Sequence, residues 1–178
     1  MKPLRFGQLT LIILLLAVSS FTQSSASPPK GEIPTVNYCD LIHNAASYDK
    51  KVIRVRALYV VGFEAAYLYD PVCTGESGSD DRAWVEYSDS FESSSNPKVA
   101  KQFHNLLKSS KSNKYGLGRV EVLFVGKFDG VRQTSELKIK DGKTFKFSVG
   151  YGHMNGYDYQ ITVDAIEEVK SVPKSVTW

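Results

Sequence analysis

The chain has 178 residues, with 22 Lys and Arg against 19 Asp and Glu. Two of the basic residues, Lys2 and Arg5, sit in a leader without acids, so the rest of the chain is close to neutral. A nucleic-acid binder carries a basic excess or stripe, and this balance argues against that class.

The leader, MKPLRFGQLTLIILLLAVSSFTQSSAS, places those two charges before an apolar run from Leu9 to Val18. Small polar residues follow, which is the pattern of a secretory signal peptide. A bilayer-spanning helix needs about twenty apolar residues, roughly twice this run. Ser24 and Ala26 stand where signal peptidase reads small side chains, so cleavage is expected after Ala26. Residues 1–26 are then the signal, and the mature protein is exported, periplasmic or extracellular, without a stable membrane span. The competing reading is an uncleaved anchor. Residues 27–36, SPPKGEIPTV, read as a flexible leader. Residues 37–178 are enough for one domain with its own core.

Cys39 and Cys73 are the two cysteines. Export favours a disulfide between them. No CxxC or paired histidine spacing supports zinc. Two free thiols are the remaining alternative.

The segment NYCDLIHNAASYDKK reads as a short helix, with Asn37 or a polar neighbour as cap. KVIRVRALYVVGF alternates and is the first strand, with Gly62 as a bend. EAAYLYDPVC is the second, ended by Asp70-Pro71. TGESGSDD is a polar turn, and RAWVEYS is the third strand, with Ala83, Val85 and Tyr87 opposite Trp84 and Glu86. Asn96-Pro97 opens a helix whose stripe is Val99, Phe103, Leu106 and Leu107. RVEVLFVGKFDGV is the fourth strand. RQTSELKIKDGKTF is a polar excursion with a hairpin-like turn at Asp141-Gly142. The last strand system starts at Phe145 and supplies Ile161, Val163, Ala165 and Ile166.

The order predicts a mainly β fold: a five-stranded, OB-like Greek-key barrel with an N-terminal helix and a helix between strands three and four. An open α+β sheet is the alternative. The segments YDKKVIRVRALYVVGFEAAYLYDPVC, VGKFDG and GYGHMNGYDYQITVDAIEEV carry a resemblance over roughly residues 38–170. It is to a group of exported, mostly uncharacterised bacterial proteins with an OB-like barrel. Their Tyr-Asp-x-Lys-x-Val-x-Val-Arg segment opens the barrel, and Gly-His-(Leu/Met)-Asn-x-Tyr precedes the last strand. The resemblance implies fold and export but brings no reaction with it.

No serine lies in a Gly-x-Ser-x-Gly elbow. Cys73 with His153 would need a reduced, exposed thiol, which export disfavours. Asp70, Glu76, Asp80 and Asp81 are a solvated acidic turn before they are a calcium loop. GYGHMNG lacks the lysine and helix of a phosphate loop. No cofactor or metal is expected. His43 reads as a surface or structural histidine.

The aromatics are more suggestive. Tyr67, Tyr69, Trp84 and Tyr87 fall on strands two and three, whose face binds ligands in OB-folds. Strand aromatics also fill interiors, so a core role competes. The leading expectation is a secreted, non-enzymatic module that binds a peptide, glycan or envelope protein through these residues. The alternative is a small hydrolase or metal-dependent enzyme centred on His153. A structural subunit of an envelope assembly is a third reading. In SVGYGHMNGYDYQITV, Gly150, Gly152 and Gly156 are expected to adopt positive φ in a corner. His153 and Asn155 should bond its backbone, and Tyr157, Tyr159 and Ile161 should share a side.

Overall fold

The computed structural model describes residues 31–73, 81–110 and 118–172. The expected signal, its cleavage site and the first part of the leader lie outside these residues, as do Glu76 and Asp80.

The fold is mainly β with a mixed sheet. Strands β1 (Thr35–Asn37), β2 (Val52–Val61), β3 (Ala66–Tyr69), β4 (Ala83–Tyr87), β5 (Gly118–Asp129) and β8 (Tyr159–Ser171) form one six-stranded sheet in the order β1-β2-β3-β4-β8-β5. β2 also pairs with β5, so five of these strands close a ring of pairings: β2, β3, β4, β8 and β5. β1–β2 and β4–β8 are parallel, and the other pairs are antiparallel. Strands β6 (Gln133–Lys138) and β7 (Thr144–Val149) make a separate two-stranded sheet. Among the described residues, eight strands therefore replace the five expected. β1 is three residues long, too short to show a period, and the end of the expected flexible leader is thus a paired strand. Phe145 belongs to the β6–β7 hairpin, so the last strand begins at Tyr159 instead.

The long strands form where polar and apolar residues alternate. Along β2 the burial alternates with the sequence: Ile53, Val55, Ala57 and Tyr59 face inward, while Arg54 and Arg56 face outward. The outward arginines pair with Glu121 on the adjacent β5 and with Glu167 and Glu168 on β8, one strand further. β5 and β8 slip register between Val125 and Gly126. A Cβ at Gly126 would stand 2.3 Å from the Thr162 carbonyl oxygen, so only glycine lets the strands approach there.

The expected first helix is broken at Asn44 into α1 (Tyr38–His43) and α2 (Ala45–Tyr48). Asn37 caps α1 by accepting the Cys39 N–H at 2.9 Å. A short turn of helix, α3 (Phe91–Ser94), precedes α4 (Pro97–Ser110). Asn96 accepts the Lys98 N–H at 2.9 Å, as its place before Pro97 leads one to expect. Buried Ser95 donates to the Phe91 carbonyl and accepts the Ile166 N–H, which ties α3 to β8.

Two devices fasten α1 to β3 and β4. Cys39 and Cys73 form a disulfide, with Cα atoms 5.2 Å apart. The fully buried Tyr38 hydroxyl lies 2.8 Å from the Leu68 carbonyl and 2.7 Å from that of Asp81, and accepts the Ala83 N–H at 3.0 Å. Burial pushes the Tyr38 phenol well up, so it stays neutral and keeps its proton to donate.

Candidate functional site

Two aromatic clusters lie on opposite faces of the ring of strands. Cross-strand pairing sets which residues share a face. Tyr67 pairs with Trp84, and Leu68 pairs with Ala83. Tyr67 and Trp84 are therefore on one face, and Leu68, Ala83, Val85 and Tyr87 on the other.

The outer cluster is built around Tyr157. Its ring centroid lies 5.1 Å from that of Trp84 and 6.0 Å from that of Tyr67. Tyr69 adds a ring 6.0 Å from Tyr67. The Arg82 guanidinium lies over two of these rings, 5.2 Å from Tyr67 and 5.6 Å from Tyr157. These are cation–π distances. Tyr67, Trp84 and Tyr157 are half-buried, Tyr69 is buried, and Arg82 is exposed. Burial raises the Tyr157 phenol, and the Arg82 charge opposes that shift.

The corner between β7 and β8 holds Trp84 in place. Gly152 has φ 66° and ψ −158°, a conformation open essentially to glycine alone. A Cβ there would stand 2.3 Å from Cδ2 of Trp84. The indole thus lies flat against the Gly152 backbone, and its Nε1 is buried with no hydrogen-bond partner among the described residues. The corner differs from expectation in its φ values. Gly156 has φ −79°, Gly152 alone of the three glycines has positive φ, and Met154 and Asn155 share that region at 55° and 56°. The side chain of His153 faces Glu64, with Nε2 3.5 Å from Oε2. That contact joins this corner to the β2–β3 turn.

The expected sharing of sides by Tyr157, Tyr159 and Ile161 does not hold. Tyr159 pairs with Ala83 and stacks on Phe128, toward the inside. Tyr157 lies before β8, in an isolated bridge to Tyr151, and turns outward onto Trp84. The corner interrupts the two-residue period that the alternation argument needs.

The inner cluster joins Tyr59, Tyr87, Phe91, Phe103 and Phe124 by ring contacts of 4.6–6.5 Å. Tyr87, grouped with the ligand face on sequence, stands here. Its alternation with Ala83 and Val85 puts it on this face, at the rim of the cluster, where it stays 42 % exposed. An apolar cavity of about 490 Å³ opens beside it, between α4 and the ends of β2 and β4. Burial raises the Tyr59 phenol, and a hydrogen bond from Tyr87 partly counters the effect.

The structure brings Tyr67, Tyr69 and Trp84 together and places His153 at their margin. Arg82 and the outward turn of Tyr157 escaped the sequence reading. Arg82 was detectable, since it stands two residues before Trp84 and so shares its face.

Among the described residues, one group of metal-ligand types stands close together. Cys39, Cys73 and Asp70 bring ligand atoms within 4.8 Å of one another. The two sulfurs are bonded to each other, so neither is a thiolate ligand or a nucleophile. That removes the free thiol required by a Cys73–His153 pair. Asp158 is engaged by Arg132 and not by His153. No helix of the described residues is long and apolar enough to cross a membrane. No known protein family, characterised protein or solved structure matches the chain.

Proposed function

We propose that the protein is an exported, non-catalytic binding module on an OB-like Greek-key barrel. Its ligand lies on the outer patch of Tyr67, Trp84, Tyr157 and Arg82. The observation that carries this reading is the meeting of three half-buried rings, two of them beneath one exposed guanidinium. Such a patch suits a ligand with a flat apolar surface next to a carboxylate. The rings stack on the first, and the arginine bonds the second.

The closed ring of pairings supports the barrel, since its order, with one parallel closing pair, is that of an OB-fold. In that fold ligands lie over strands two and three, between the loops after strands one and four. Here those loops are the β2–β3 turn and the β5–β8 connection, the two that Glu64 and His153 join. The leader and the disulfide support export. The partner is then an exported glycan, peptide or envelope protein with an anionic group.

The experiment immobilises the protein, passes native envelope extract over it, and compares the retained material across variants. Arg82→Ala and Tyr157→Ala should each lower retention of the main partner at least tenfold. Equal retention by wild type and both variants would place the ligand elsewhere and sink the proposal.

A further inference from the structure

The connection between β5 and β8 carries a second surface, independent of the aromatic patch. Of the ten large apolar residues exposed among the described residues, five lie between positions 131 and 147: Val131, Leu137, Ile139, Phe145 and Phe147. This concentration follows from the β6–β7 register. Leu137 pairs with Phe145, Ser135 with Phe147 and Gln133 with Val149. Directly opposed residues share a face. Leu137, Phe145, Phe147 and Val149 therefore form one apolar face, while Thr134, Glu136, Lys138, Lys146 and Ser148 occupy the other. The hairpin forms its own two-stranded sheet. Such a sheet is marginal in water unless something covers its apolar side.

The base of this arm is fixed to the ring of strands. The Tyr151 hydroxyl donates to the Val131 carbonyl at 2.7 Å, and Arg132 pairs with Asp158. The arm is thus tied at its base and leaves its apolar side chains exposed.

Charge selects the occupant. Lys138, Lys140, Lys143 and Lys146 stand on the arm against Glu136 and Asp141. Lys143 pairs with Asp141 and Lys146 with Glu136, which leaves Lys138 and Lys140 without a carboxylate among the described residues. A second copy of the same arm would bring like charges together. An anionic bilayer meets the same charge with attraction. Its headgroups attract the lysines within about one Debye length, and its acyl boundary accepts phenylalanine and leucine side chains.

We infer that the β6–β7 arm is a lipid-docking element that lays Leu137, Phe145 and Phe147 on an anionic membrane surface, with Lys140 at its tip and Lys138 on its opposite face adding longer-range attraction. The binding is peripheral and salt-sensitive, because it rests on exposed apolar side chains and on ionic attraction to the headgroups.

Co-sedimentation with vesicles tests this. One set is phosphatidylcholine with 30 % phosphatidylglycerol, and the other is phosphatidylcholine alone. Wild type and variants are taken from the same expression compartment, so that whatever N-terminus they carry is common to all. Wild type should partition at least tenfold more onto the anionic vesicles, and 0.5 M salt should reverse most of that. Phe145→Ser with Phe147→Ser should abolish binding at unchanged melting temperature, and Lys138→Glu with Lys140→Glu should remove the preference for anionic lipid. Three results overturn the inference: no wild-type binding to either vesicle, binding unaffected by the arm variants, or a concentration-dependent dimer that the Phe145 and Phe147 changes dissolve.

Discussion

The inner cluster of Tyr59, Phe91, Phe103 and Phe124 and the outer cluster of Tyr67, Trp84 and Tyr157 use the same kinds of side chain on opposite faces of one ring of strands. Inside, each ring meets other rings, and α4 brings Phe103 down onto them. Phe103 and Phe124 are almost fully buried. Outside, the rings meet a cation and a glycine corner, and they keep part of their surface. The difference teaches how strand parity sorts aromatic residues into stability and recognition. A ring turned inward stabilises the fold through buried area. A ring turned outward is left with surface to offer a partner.

The largest expected effect breaks the inner side. Phe124→Ala removes a fully buried ring that touches Tyr59, Tyr87 and Phe103. It should cost about 3–5 kcal/mol in urea unfolding. Arg82→Ala, on the outer side, should cost about 1 kcal/mol or less, the worth of an exposed cation–π contact. A loss of stability for Arg82→Ala as large as that for Phe124→Ala would make the outer cluster a second core.

Next in size is the tether that belongs to neither cluster. The disulfide closes a sequence separation of 34 residues, from α1 to the end of β3. Loop-closure entropy puts its contribution at about 3–4 kcal/mol. Reduction, or Cys39→Ser with Cys73→Ser, should lower stability by about that amount. If Tyr38 alone anchors β3 and β4, the measured loss will be near zero.

Much of this fold was legible in the sequence, for physical reasons that also mark the limit. β2 and β4 alternate, and α4 carries a cap and a stripe, so local pattern identified all three. The face that Tyr87 shares with Ala83 and Val85 followed from the same alternation, although grouping aromatics by strand put it with Tyr67. β1 was not legible because three residues show no period. The apolar face of the β6–β7 arm was hidden for another reason. Read along the chain, the segment is a polar excursion with a hairpin-like turn, and only the pairing of Leu137 with Phe145 shows that the apolar residues share a side. Pairing order is a long-range property, and no local signal reports it. The outer cluster fell between these cases. Tyr67 and Trp84 were visible as strand residues, whereas Tyr157 joins them only because the corner breaks the period before β8.

The corner itself supplies a test of intermediate size. Gly152→Ala forces a Cβ against the Trp84 ring from a positive-φ backbone. Gly142, at the tip of the arm, has φ +80° with open space around it. It serves as the control, since both substitutions meet backbone strain and only one meets a side chain. Gly142→Ala should cost about 1 kcal/mol. Gly152→Ala should cost about 2–3 kcal/mol and red-shift the Trp84 emission as the indole is exposed. Equal costs with unchanged emission would mean that the corner does not position Trp84.

The smallest effect is the one that most sharply separates binding from catalysis. His153 and Glu64 are both substantially exposed, with 48 % and 59 % of their side-chain surfaces accessible, and their atoms are 3.5 Å apart. Exposed pairs of this kind contribute at most about 1 kcal/mol. His153→Ala should therefore change unfolding by about 0.5 kcal/mol and leave partner retention within about twofold of wild type. A hydrolase centred on His153 makes the opposite demand: stability would again hold, but any turnover of the retained material would vanish with the imidazole. Comparing His153→Ala with Arg82→Ala in the same retention assay decides the matter. If His153→Ala is the more damaging of the two, the function resides in the corner and not on the aromatic face.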